Sequence, residues 1–97
     1  FFMLIGSLKI EFRLHGVFSI KEKRSIVLSL KQKIRNKFNV SVAEVEAQDN
    51  TDFLVLAVIT VANETRHIQS TLNKTVTLVE NNSSEEITDI SMEVFGA

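Results

Sequence analysis

The stretch SIKEKRSIVLSLKQKIRNKF, residues 19–38, holds seven of the chain's eleven Lys and Arg side chains and a single acid, Glu22. Cations repeated along one helix face suit one kind of chemistry, the neutralisation of phosphates. At about 100° per residue, Arg24, Lys31 and Arg35 fall on one flank of such a helix with Lys21 beside them. This stripe is the candidate contact set for structured RNA, gripped through backbone and shape with little sequence readout. The competing reading is a solvated face kept charged for solubility, since no aromatic is interleaved for base stacking. Charge runs on helices are usually such a face, and a one-sign bias without the acidic neighbours of a salt-bridged surface is what raises contact above that base rate. An acidic protein partner would meet the same stripe and is the alternative.

Other residues that could do chemistry are sparse. His15 and His67 are isolated from each other, which makes a weak case for metal or acid–base work. Glu44 and Glu46 alternate onto one strand face, but lack a third ligand or a positioned donor; solubilising an edge strand is their expected role. The loop HGVF, residues 15–18, is similar to the phosphate loop of acylphosphatases. Ser19 and Ile20 follow it where the catalytic Arg of those enzymes would stand, so an acylphosphatase-like hydrolase is a distant third reading. There is no Cys, which excludes disulfides, thiolate metal sites and thiol nucleophiles. We expect no catalytic constellation, no metal and no cofactor.

The elements that would position the basic stripe follow from periodicity. LIGSLKIEFRL, residues 4–14, alternates as a half-buried strand, with Leu8, Ile10, Phe12 and Leu14 opposite Lys9, Glu11 and Arg13. Ser19 and Glu22 form a capping box, the Ser19 hydroxyl accepting from the Glu22 amide and the Glu22 carboxylate from the Ser19 amide. They are explained by helix initiation without a ligand. The helix runs to about Phe38, with Ile20, Ile26, Val27, Leu30, Ile34 and Phe38 inside an arc of roughly 120°. Lys23 and Lys37 fall in that arc too, and their ammonium groups are expected to snorkel outward. NVSVAEVEA, residues 39–47, reads as a second strand and AQDNTD as a polar turn. FLVLAVITVA, residues 53–62, reads as a central strand apolar on both faces. Asn63 is the expected cap of a second helix with Ile68, Leu72, Val76 and Val79 on one stripe, closed by NNSSEE. The last strand, residues 86–95, alternates Ile90, Met92 and Val94 against Asp89, Ser91 and Glu93.

The order βαββαβ with right-handed crossovers gives an α+β, ferredoxin-like sandwich: one four-stranded antiparallel sheet, two helices on one face, the second and fourth strands at the edges. A chain of 97 residues, 44% hydrophobic, builds one modest core, and residues 3–95 are read as a single domain. Residues 19–38 are formally +6 and the remainder −7, so the molecule is polarised although nearly neutral. Met3 reads as the natural start, with Phe1 and Phe2 additions ahead of it, and FFMLIG lacks the basic flank of a secretion signal. The longest apolar run is about half a membrane span. Five Asn-x-Ser/Thr triplets, at Asn39, Asn63, Asn73, Asn81 and Asn82, carry little weight without secretion.

Two stretches resemble the signature of the YlxP-like family, small bacterial proteins of unknown function. They are Ser19, Ile20, Lys21, Glu22, Lys23 and Arg24 at the helix start, and Phe38, Asn39, Val40, Val42, Ala43 and Glu44 in the second strand. Ile20 is the one departure, where the family has Leu. The resemblance spans Met3 to about Phe95 and implies a ferredoxin-like fold and a bacterial, cytoplasmic protein. It also implies genes lying beside translation and ribosome-maturation factors, and it supplies no catalytic residue.

A last feature concerns the sheet face that no helix covers. With Leu54, Leu56 and Val58 toward the helices, Phe53, Val55, Ala57 and Ile59 face outward; the opposite assignment also leaves an apolar row, which Val40, Val42, Ile87 and Phe95 could join. Lys9, Glu11 and Arg13 could shield it, yet a contiguous row suggests an interface, and a homo-oligomer through Phe53, Val55, Ala57 and Ile59 is expected.

Overall fold

The computed structural model describes residues 3–97; Phe1 and Phe2, read above as additions, lie outside the described residues. The elements are β1 Leu4–Arg13, α1 Ile20–Lys37, β2 Ser41–Glu46, β3 Phe53–Ala62, α2 Thr65–Asn82 and β4 Glu86–Gly96. All neighbours in the sheet are antiparallel and the strand order is β2-β3-β1-β4, which puts β2 and β4 at the edges as the pattern requires.

Directly opposed residues of antiparallel strands share a face, so register assigns the two sides. Leu8, Ile10 and Phe12 of β1 stand opposite Val58, Leu56 and Leu54 of β3. All six are buried, in one core with Val27, Leu30 and Ile34 of α1 and Ile68, Leu72 and Val79 of α2. Both helices therefore cover this face, and β3 does turn Phe53, Val55, Ala57 and Ile59 to the open one. Of the residues offered to extend that open row, Val40, Val42 and Ile87 go instead to the core side. Only Phe95 joins the row, through its pairing with Ile5, which in turn pairs with Val61.

Gly6 sets how closely α2 sits on β1. A Cβ there would collide with Ile68 Cγ2, so the helix occupies the space a side chain would need. Asn63 does not cap α2: the chain bends there and the helix begins a residue later, with Glu64 at the N-cap making no side-chain cap bond.

Candidate functional site

Ser19 caps α1 as expected, its hydroxyl accepting from the Glu22 amide at 3.1 Å. The Glu22 carboxylate reaches one residue further back than expected, to the Phe18 amide at 3.2 Å. Phe18 is left 86% exposed. A hydrophobic staple would pack it on the fourth helical residue, but that residue is Lys23, which points into the protein.

Lys23 corrects the expectation that its ammonium snorkels outward. It is 1% exposed; Nζ donates to the carbonyls of Ala47 and Asn50, the latter at 2.7 Å, and lies 2.9 Å from Glu44 Oε2. The contact with Glu44 is an ion pair off the hydrogen-bonding direction, since Oε2 accepts no hydrogen bond. Periodicity put Lys23 in the buried arc correctly, but could not reveal that the β2–β3 turn brings carbonyls to meet it. The turn includes Ala47 at a left-handed φ of 54°, a conformation costing about 1–2 kcal/mol, and the Lys23 bond to its carbonyl helps to hold it. The first motif therefore contacts the second directly.

Glu44 and Glu46 do not form a carboxylate pair. A bulge between them, at Val45, sends Glu44 to the core side with Lys23 and Glu46 to the open face, where Lys9 reaches it at 3.4 Å. His15 meets Glu86 at 3.0 Å near the start of β4, whereas His67 lies in the first turn of α2. Among the described residues no cluster of three or more His, Asp or Glu could hold a metal.

The basic residues of α1 behave differently. Lys21, Arg24 and Arg35 are exposed and Lys31 is half-buried. Among the described residues, no ion pair involves these four or Lys33 and Lys37. Lys31 and Arg35, and likewise Lys33 and Lys37, are like-charged neighbours one turn apart, a placement that destabilises a helix by a few tenths of a kcal/mol per pair. Arg35 departs from the other three: its Nη2 donates to the Val42 carbonyl at 3.0 Å, tying α1 to β2. Leu28, exposed, sits amid the stripe. Over the molecule, the two helices carry nine cations against two carboxylates, and the rest of the chain two against ten.

On the open face, the residues expected at an interface are unequal. Arg13 lies over the Phe53 ring, 5.7 Å from its centroid. Lys9 pairs with Glu11 and Glu46, the two residues flanking Val55, and Val55 is only 6% exposed beneath them. The uncovered apolar surface lies toward the other end of the strands, at Ile59, Val61 and Phe95, 43%, 58% and 45% exposed. Ser7, Ala57 and Ser91 line a groove of about 430 Å³ beside them.

Fold and register together define a ferredoxin-like βαββαβ sandwich with a basic helix layer and an uncovered sheet face. The family described as "Protein of unknown function (DUF503)" matches residues 5–92, and the chain belongs to it. No curated protein matches. Among solved structures, the chain is similar to the de novo designed protein Foldit4, with a TM-score of 0.55 and 8% identity over 96% of each chain. It is similar to SnoaB, a cofactor-independent oxygenase from Streptomyces nogalater, with a TM-score of 0.52 and 13% identity over 96% of this chain and 92% of that one. A dimeric ferredoxin-like protein of unknown function from Thermobifida fusca gives 0.52 and 12% over 98% and 92%. At these identities the likeness shows the fold alone. No helix among the described residues is long and apolar enough to cross a membrane.

Proposed function

We propose that this chain is a non-enzymatic binding module of the bacterial cytoplasm that holds ribosomal or other structured RNA against α1. The observation that carries the reading is the set of α1 cations without a carboxylate partner. Like charges placed one turn apart work against the isolated helix, and a polyanion laid along them offsets that cost. Lys21, Arg24 and Lys31 are the phosphate contacts; Arg35 contributes charge while also holding β2. Phe18, at the helix start, adds the exposed aromatic that the stripe itself lacks, a surface on which an unpaired base stacks. The YlxP-like resemblance, with its translation-factor setting, agrees with an RNA partner. Purification of the tagged protein from its own host, with and without nuclease, tests this: RNA retained only without nuclease is expected, and its absence from both preparations contradicts the reading. An acidic protein retained in both would transfer the stripe to a protein partner.

A second reading has its own observation, the uncovered apolar end of the open face. Strands of 10, 6, 10 and 11 residues, about 4.8 Å apart and rising about 3.4 Å per residue, give the whole open face roughly 600 Å². That is comparable to the ~800 Å² each partner gives to a standard interface. Ile59, with Val61 and Phe95 exposed beyond it, borders a groove that Ser7, Ala57 and Ser91 line together with Lys9 and Glu93, so a second copy related by a two-fold axis could set its ridge into this groove. The dimeric Thermobifida fusca neighbour supports self-association of this fold. The two readings use opposite faces and are compatible.

A further inference from the structure

The groove between the end of α1 and the first half of α2 shares no residue with the stripe and meets the open sheet face at Val61, which lines it. It has a volume of about 340 Å³, at the lower end of the range for small-ligand sites. Lys37 enters it from α1, and His67 and Lys74 from α2; no carboxylate lines it. An adjoining groove is also lined by Lys37, Phe38 and Lys74 and also lacks a carboxylate, so these three residues are common to the two halves of the cleft. Neither lysine forms an ion pair among the described residues.

The α1 dipole accounts for one of these charges, because Lys37 stands in the last turn, where a cation is favoured. It does not account for Lys74, which lies in the middle of α2 with Ser70, Thr71, Thr77 and Leu78 three and four residues away and hence no helical acid to pair with. Two ammonium groups and an imidazole brought together from different helices repel one another when charged, and an anion between them reverses the sign of that interaction. One wall is fixed before any ligand arrives, since the Thr60 hydroxyl donates to the Asn39 carbonyl at 3.2 Å and ties the α1–β2 turn to β3. Ser70 and Asn39 line the same groove and carry neutral donors.

We propose that this cleft binds the phosphate group of a small phosphomonoester, with Lys37 and Lys74 on the phosphate oxygens, His67 as a further donor and the Phe38 ring beneath the organic part. The site is too small for a nucleic-acid helix and is independent of the RNA reading of α1. Amide chemical shifts of the ¹⁵N-labelled protein test it at constant ionic strength, with inorganic phosphate, a nucleoside 5′-monophosphate, the matching nucleoside and chloride as probes. Saturable shifts confined to residues 37–39 and 67–74 are expected with inorganic phosphate and, at lower concentration, with the monophosphate. In the Lys37→Gln, Lys74→Gln double variant, whose folding the same spectrum reports, the apparent Kd should rise at least tenfold. The proposal is overturned if neither phosphate compound gives saturable shifts, if chloride reproduces them, if the nucleoside binds as well as its monophosphate, or if the double variant responds like the parent.

Discussion

Lys23 joins the two motif stretches, one at the start of α1 and one in β2, through a buried contact with Glu44 and two turn carbonyls. Lys23→Met retains most of the side-chain volume but leaves the Glu44 carboxylate in a poorly solvated position without its counter-charge. Removing one partner of a buried pair costs about 3–5 kcal/mol, and urea denaturation should show a loss of that order. Lys23→Met combined with Glu44→Gln should recover part of it; a single variant as stable as the parent contradicts the structural role. Ser19→Ala should cost about 1 kcal/mol by the same measurement, through the lost cap, without weakening RNA binding by the folded protein. The capping box was legible because it is local: three residues of sequence contain both ends of the bond. The fate of Lys23 was not, because its partners lie 21 to 27 residues away and a helical angle says only that the side chain points inward. Phe18 was missed for a related reason. Its exposure follows from Lys23 occupying the position where a staple partner would stand.

The elements were legible because β1 and β4 alternate in sequence, β3 is an apolar run of strand length, and α1 and α2 each carry one apolar stripe. The faces of β2 were misassigned, since the bulge at Val45 reverses the alternation from which Glu44 and Glu46 were placed together. Gly6 was the unused signal: a glycine inside a strand pattern marks close backbone approach, and here it admits Ile68 of α2. Gly6→Val forces side chains apart in a packed core and should destabilise by about 1–3 kcal/mol in urea. An unchanged midpoint would mean that α2 shifts freely over β1, contrary to this packing. Arg35 shows why the basic stripe cannot be treated as four equivalent charges. Its bond to the Val42 carbonyl belongs to the α1–β2 junction, so reversing it would mix a structural effect with a binding effect.

At the scale of the molecule, polarity was legible from charge counts, and folding sharpens it: the helices gather the cations while the sheet and loops hold most of the acids. The apolar open face was also foreseen, but its exposed part was not, because shielding by Lys9 and Arg13 depends on neighbours across the sheet. Light scattering at tens of micromolar should give a dimer, and Ile59→Asp with Val61→Asp should give a monomer; a monomeric parent contradicts the sheet-face interface. The claim that α1 neutralises phosphates is tested most directly by the salt dependence of affinity for a structured RNA. With Arg35 kept, reversal of Lys21, Arg24 and Lys31 to Glu should flatten the slope of log K against log salt by roughly two to three counterions. Among the described residues these side chains make no ion pair and no tertiary hydrogen bond, so the urea midpoint should scarcely move. A triple variant that binds with the parent's affinity and slope, or a parent that binds no RNA at low salt, contradicts the account.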